Sequence, residues 1–526
     1  MDRYVRGVVV AMAALAVAWA VMAAEQDRLP LGDPSRAFLL GAARVGEVYD
    51  TAAGRTVSLD EAVERLAGAD IVLLGEDHTH MGEKRFQARV LEALAVRGRP
   101  VVLGLEFFTR DDADALARWS AGTIGEEEFL FASGWLRRGS YPWAYYRPVM
   151  EVARRYHLPV VGLNVPRRIV HAVAQGGLGA LAPEDRELVG EVDVSGSPAH
   201  RYLVAQYFGE AVAQMPPEWF DRMYAAQCVW DVVMARAILD ALPEGGQVVA
   251  VAGSGHVAHG LGIPRRLQEL AARRGVELRV ATVCPVLAQV VPEGEALRGH
   301  PTGRDEGEGN GYAAATFSRG LADIVAVFGD ELGVEAVPRL GVSLKERGDA
   351  VTVSRVWPDT LGARAGLERG DVVVRAPGWR AGQGIERLRL ELGRLRWWTR
   401  IELAVERDGD RVTVPILLVP EVESVERSVL PGWTVSELWG WSPDGAAPAS
   451  VPSRKRRRQL YVRDPGGTAR VVEYEDRLAV AVHELDADGR VVRTLLREPG
   501  PDGAVELLYR RGPGGAVERA ERHPER

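Results

Sequence analysis

The sequence predicts an α/β fold class: a largely parallel sheet flanked by helices with a helical insertion, then a small β-rich domain and a β-rich C-terminal tail. Three observations carry this. From about residue 58 to 290, short apolar runs alternate with amphipathic stretches. Residues 110–240 hold more helical pattern than sheet crossovers require. Beyond residue 460, alternating segments are separated by "PGG", "DADG" and "PDG", the turn chemistry of a β-meander.

Taken in chain order, residues 1–24 come first. Arg3 and Arg6 precede an apolar stretch from Gly7 to Ala24, the layout of a signal peptide. The stretch is long for that role, so an uncleaved N-terminal anchor is the alternative. Either way the bulk of the chain is expected outside the cytoplasm, periplasmic or membrane-anchored. No cysteine follows the apolar stretch, which excludes a lipoprotein cysteine.

Residues 30–330 are expected to form one ligand-binding α/β domain. Its strands are predicted at Ile71–Leu74, Val101–Leu105, Val160–Leu163, Val248–Ala252 and Leu278–Val283, with "LADIVAVFG" as one more. Between them, "EKRFQARVLEALAVRG" and "DRMYAAQCVWDVVMARAILDALPEG" place apolar residues at helical spacing and close on glycine. Residues 336–420 form a separate small unit and 421–459 a linker ending in "RKRRR", read as a solvated run. Residues 460–526 make the β-rich tail.

Composition removes several function classes. The 526 residues are 47% hydrophobic and 26% charged, with a formal charge of −8, so nothing marks a nucleic-acid partner. Two cysteines, Cys228 and Cys284, are too few for a disulfide scaffold or a cysteine-rich zinc site. They either pair in an oxidising compartment or sit as small buried hydrophobes.

In an open parallel sheet, ligands bind beyond the carboxyl ends of the strands, so the residues that follow each strand matter most. The first strand delivers Glu76, Asp77, His78 and His80. "VVLGLEFF" delivers Glu106, "VVGLNVPRR" delivers Asn164 and Arg167, and "VVAVAGSGHVAHG" delivers Ser254, His256 and His259. One carboxylate after a strand is ordinary, because it suits the positive end of the next helix. Convergence from several strands is not ordinary, since clustered charge beside an apolar sheet must be solvated, paired or bound. Two uses fit. His78, His256, Glu76 and Glu106 offer a donor set for a divalent transition metal, with Glu106 or Glu76 as general base if the protein is a hydrolase. Alternatively the cluster lines the mouth of a pocket for a larger ligand. "WLRRGSYPWAYYRPVM" supplies aromatic surface and guanidinium groups suited to a planar dianion such as haem, or else simply a packed lid.

The motifs "LLGEDHTH" and "VAGSGHVAHG" each hold a Gly-x-x-His element, Gly75 to His78 and Gly253 to His256, and "GLEFF" supplies an acid between them. This set resembles the ChaN/TIKI/erythromycin-esterase-like superfamily over roughly residues 40–330, and "YYRPVMEVARRYHLPVVGLNVPRR" resembles its haem-binding ChaN branch. The resemblance implies a parallel sheet with a smaller helical domain, and haem binding linked to iron uptake. For TIKI-like members it implies instead a metal-dependent hydrolase or peptidase. Glu76, His78, Glu106 and His256 carry over as site residues. The haem-ligating tyrosine is sought among Tyr145, Tyr146 and Tyr224, with Arg147 as a propionate partner. A site that has lost its chemistry, leaving a scaffold, is a third class.

"RLGVSL" followed by "VSRVWPDTLGARAGLERGDVVV" resembles the PDZ domain of HtrA-type proteases. That resemblance implies that Arg339, Leu340, Gly341 and Val342 hold the carboxylate of a protein or peptide C-terminus, with strand addition alongside. The Asn-Gly usual in the second half is replaced here by "APGWRAG".

Overall fold

The computed structural model describes residues 31–288, 315–329 and 338–418, apart from 139, 140, 196, 209–211, 213, 214, 359 and 396–398, together with strand segments between 434 and 523. The N-terminal segment and most of the linker lie outside the described residues.

The strands up to residue 329 are β1 (Leu40–Ala43), β2 (Val48–Asp50), β3 (Arg55–Val57), β4 (Ile71–Glu76), β5 (Val101–Thr109), β6 (Val160–Asn164), β7 (Gln247–Gly253), β8 (Val280–Ala288), β9 (Ala315–Ser318) and β10 (Ile324–Gly329). Each strand expected in this stretch is present, including the one in "LADIVAVFG". The helices are α1 (Leu59–Ala67), α2 (Met81–Ala95), α3 (Ala113–Ser120), α4 (Glu126–Ala132), α5 (Trp135–Arg138), α6 (Arg147–Arg155), α7 (Arg167–Gly176), α8 (Pro183–Val189), α9 (Pro198–Tyr207), α10 (Pro217–Asp240), α11 (Ser254–Val257) and α12 (Ile263–Arg274).

One eight-stranded sheet runs β3-β2-β10-β8-β4-β7-β5-β6. Its strands from β10 to β6 are parallel, and β2 and β3 join antiparallel at one edge, so the sheet is mixed but largely parallel. β4 is central because all six of its residues are buried, as a strand covered on both faces must be. The core unites Ile71, Leu73, Val248 and Ala250 with Val229, Val233 and Ile238 of α10 and Ile263 and Leu267 of α12. α10 is apolar around most of its circumference, which marks a helix inside the fold rather than on its surface.

The chain divides into two compact units. The first comprises residues through Asp77, 86–123 and 149–329; the second takes 78–85, 124–148 and everything from 330. Residues 124–148, part of the expected insertion, therefore belong by their contacts to the second unit.

In the second unit, β11 (Val342–Arg347), β12 (Ala350–Val356), β13 (Val372–Ala376), β14 (Trp379–Arg380), β15 (Thr399–Arg407) and β16 (Asp410–Leu418) form a six-stranded antiparallel sheet in which β11 is an edge. Two helices accompany it, α13 (Leu361–Arg364) and α14 (Gly384–Gly393). Val351, Val353, Leu388, Trp379 and Val405 fill its core. Between 434 and 523, seven strands follow one another in a single antiparallel meander; Thr434–Leu438 and the start of Arg457–Arg463 fall in the stretch read from the sequence as linker, so the sheet begins earlier than the turn signals beyond residue 460 indicate.

Candidate functional site

The carboxyl-terminal halves of three strands, β4, β5 and β7, build the site. β4 ends on Glu76, which is 3% exposed. Gln87, on the second turn of α2, donates through Nε2 to Glu76 Oε2 at 3.3 Å and to the Gly75 carbonyl at 3.3 Å. Gly75 itself is dictated by crowding. A Cβ there would lie 3.2 Å from Ser254 Oγ, 3.2 Å from the Val283 carbonyl and 3.3 Å from Cys284 Sγ, so the strand ends approach as closely as glycine permits.

Glu106, within β5, reaches across to β7. Its Oε2 accepts from the Gly253 amide at 2.7 Å, and its Oε1 lies 3.8 Å from His256 Nε2. The two motifs are thus tied together across 147 residues of chain. His256 is buried in the first turn after β7, and its Nδ1 lies 2.6 Å from Asp231 Oδ1. Gln227, one turn earlier on α10, has its amide nitrogen 2.9 Å from the same Nδ1. With Nδ1–H donating to Asp231, the amide oxygen is the atom that suits that contact.

The network continues inward. Asp231 is fully buried, and its Oδ2 faces His200 Nε2 at 3.3 Å. Tyr224 Oη lies 3.3 Å from His200 Nδ1, whereas His200 Nε2 and Asp231 Oδ2 face each other at 3.3 Å as a charge contact in which neither atom makes a hydrogen bond. Burial favours a neutral His256, yet Glu106 and the Asp231 hydrogen bond outweigh it and hold the imidazole pKa above its ordinary value. His200 shifts the other way. Burial lowers it, Asp231 opposes, and Arg266 and Arg265 reinforce the burial. One aspartate therefore serves a histidine poised to be charged and another held neutral.

Sequence reasoning missed Asp231, His200, Gln87, Gln227 and Tyr207. The last residue of α9, Tyr207, is 54% exposed overall, yet its ring lies across the second Gly-x-x-His turn. A Cβ on Gly255 would come within 3.1 Å of that ring. Burial on the turn side, reinforced by Cys284 and Asp231, pushes the phenol pKa up to about 12. A usable signal for Gln227 and Asp231 was present. Tyr224, Gln227 and Asp231 recur at three- and four-residue spacing in the otherwise apolar middle of α10, from Met223 to Ala235.

The residues named from the sequence distribute as follows. Glu106 and His256 are brought together, and Glu76 ends the central strand. The His78 ring packs against Tyr141 at 4.8 Å. His80 Nδ1 accepts from the Glu83 amide at 3.2 Å, capping α2. Asn164 accepts from its own neighbour's amide, Val165, at 2.9 Å. His259 bonds the Gly320 carbonyl at 3.2 Å and lines a separate cleft of about 220 Å³ with Arg36, Arg265, Thr282 and Asp323. The arginines of that cleft are already paired with carboxylates. Among the described residues, no group of three or more His, Cys, Asp or Glu is placed to hold a metal ion.

None of the three tyrosines singled out from the sequence opens outward. Tyr145, Tyr146 and Tyr224 are 0%, 1% and 2% exposed. Tyr146 packs edge-on against Trp135 at 5.2 Å, with the Lys84 ammonium 5.0 Å from its ring. Arg147 is held by Glu126 through two hydrogen bonds of 2.6 Å. Neither Cys228 nor Cys284 is in a disulfide; both are buried, and burial together with Asp231 pushes the Cys228 thiol up to about 11.

A parallel sheet whose strand ends gather a buried glutamate, an imidazole and an overlying phenol defines an α/β ligand-binding domain. Residues 62–267 match the family described as haem-binding uptake, Tiki superfamily, ChaN. No curated protein matches the chain. Among solved structures, ChaN of Campylobacter jejuni with cofacially bound haem is 19% identical, covering 53% of this chain and 95% of that one at a TM-score of 0.40. An erythromycin esterase in its open conformation is 15% identical over 53% of this chain and 83% of that one, with a TM-score of 0.28. An HtrA-type protease with a decapeptide is 25% identical over 16% of this chain and 29% of the protease, with a TM-score of 0.15. These structural likenesses are distant and carry no argument.

Proposed function

We propose that the first domain binds haem at the carboxyl edge of its sheet, with Tyr207 as the phenol offered to the iron and the Glu106–His256 pair as the polar floor. The family match supports haem as the ligand. The observation that carries the reading is Tyr207, which lies over Gly255 and is 54% exposed. A ferric centre accepts a phenolate ligand. The alternative of a metal-dependent hydrolase has less support, because His78, His256, Glu76 and Glu106 are not gathered into a metal-holding group among the described residues.

The test is a Soret titration of the whole chain with haemin. Saturation near one haem per chain or per stacked pair, lost or blue-shifted in Tyr207→Phe but kept in Tyr145→Phe, is the expected result. A titration identical in Tyr207→Phe would remove that residue from the site, and no saturable shift in the wild type would remove haem.

The second unit, in this reading, is PDZ-like and recruits a protein C-terminus. Its β11 is an edge strand with α14 beside it, where the Ile385 amide donates to Glu346 Oε1 at 2.9 Å, and such an edge accepts an extended peptide by strand addition. Gly341 is left-handed (φ +67°), and a Cβ there would strike Thr360 at 2.2 Å, so the loop from Arg339 to Val342 depends on glycine. A peptide with a free carboxylate should bind more tightly than its C-terminal amide, and Gly341→Ala should abolish the difference. The N-terminal segment is taken to export the chain; cell fractionation tests this.

A further inference from the structure

Two buried contacts converge on one side chain that the proposed function does not use. Asp231 has no solvent exposure, and its two carboxylate oxygens face different histidines, His256 Nδ1 at 2.6 Å and His200 Nε2 at 3.3 Å. The two histidines sit on opposite shoulders of the candidate site. His256 belongs to the turn after β7, where it faces Glu106. His200 belongs to α9, whose last residue is Tyr207, seven positions on and hence on the same helical face. The backbone has made room for this arrangement. A Cβ on Gly262 would lie 3.0 Å from Asp231 Oδ1 and 2.5 Å from the His256 carbonyl.

We propose that Asp231 is the positioning residue of the candidate site: one carboxylate oxygen orients the His256 ring toward Glu106, and the other fastens α9 through His200 and so places Tyr207 over Gly255. The physical reason is economy of desolvation. Asp231 Oδ1 is engaged by His256 Nδ1, whereas Oδ2 makes no hydrogen bond and has the His200 ring 3.3 Å away as its nearest polar partner, so the buried charge draws both rings toward it. Surrounding groups support the arrangement without replacing it. Tyr224 and Cys228 come from α10, and Arg265 and Arg266 from α12. The haem arm of this inference rests on the proposed function, whereas the orientation arm does not.

The test uses the full chain with Asp231→Asn, which keeps the volume and removes the charge, together with His200→Gln and His200→Leu. Glutamine retains a polar donor where Nε2 stood, and leucine does not. Ring ¹⁵N spectra at fixed pH should show His256 losing its protonated, hydrogen-bonded Nδ1 in Asp231→Asn. Amide exchange across α9 should accelerate in His200→Leu and stay near wild type in His200→Gln. Haemin affinity should fall about tenfold or more in Asp231→Asn and His200→Leu, the scale of lost outer-sphere support. Wild-type His256 ring signals in folded Asp231→Asn would overturn the proposal, as would equal α9 exchange in the two His200 variants. Should Asp231→Asn fail to fold, the His200 pair decides. If wild type binds no haemin, the proposed function fails, and the ring and exchange readouts still judge the positioning role.

Discussion

Two charged networks in this chain look alike on paper and differ in what they are worth. In the first unit, Asp231 joins His256 and His200 with all three side chains at most 9% exposed. In the second, Glu127 of α4 holds Arg387 at 2.5 Å and Arg394 at 2.6 Å, and both arginines return to Glu391. Those side chains, Glu391 apart, are 32–48% exposed. Arg137–Glu386 at 3.1 Å and Arg389 on the Leu136 and Arg137 carbonyls extend this lattice along α14. Water screens the second network, so each of its pairs is replaceable. The first has no water to fall back on. Removing one member strands a buried polar group, which makes the network brittle and specific in equal measure.

The comparison can be broken at its strongest point first. Asp231→Ala is expected to cost about 3–5 kcal/mol in chemical denaturation, the range for removing one partner of a buried pair. A loss below that of any single arginine on α14 would reverse the contrast. Next, Gly262→Ala should cost roughly 1–3 kcal/mol, because its Cβ would overlap the His256 carbonyl and force the Asp231–His256 approach apart. Denaturation read beside the His256 ring signals separates a shift of the turn from general loss of packing. Glu127→Ala should cost only about 0.2–1 kcal/mol, and less in high salt. A salt-independent loss of several kcal/mol would show that exposure is a poor guide to the worth of a pair here.

The subtlest effect is a slope. His200 has its pKa lowered below 6.5 on folding, so the unfolded chain binds the extra proton between those two values. Its contribution is complete above about pH 6.5 and is lost as pH falls through the folded value. For His256 the shift is upward from 6.5, so its contribution is complete below that pH and is lost as pH rises through the folded value. Denaturation midpoints across pH 5–8 should therefore show a flatter acid limb in His200→Gln than in wild type. Parallel acid limbs would mean that His200 is not held neutral.

How much was legible follows the same division between local and non-local causes. Glu76, Glu106 and His256 stand where an apolar run breaks into polar residues, and that break is visible without any partner. The aromatic stretch from Trp135 to Tyr146 was visible too, yet its opening or closure was not. Trp135, Trp143 and Tyr146 satisfy one another as rings 5.2–5.4 Å apart, a packing choice that composition does not specify. Tyr207 was overlooked because it ends a helix with no motif around it. Asp231 sits amid "CVWDVVM", where one acid reads as the solvent side of an amphipathic helix. Only the burial of both faces of α10 turns it inward.

By itself, the sequence determined the strands, the order in which they occur, the glycines that let their ends close up, and the acids and imidazole that follow them. These are consequences of side-chain periodicity and backbone sterics within a few residues. Tertiary structure decided which strand lies beside which. It set β4 between β7 and β8, carried Glu106 to the Gly253 amide, and turned His256 and His200 toward one aspartate. The reason is that a buried charge has no local solution. Its partners must come from wherever the crossovers bring them, and for Asp231 they come from two separate elements, α9 and the turn after β7.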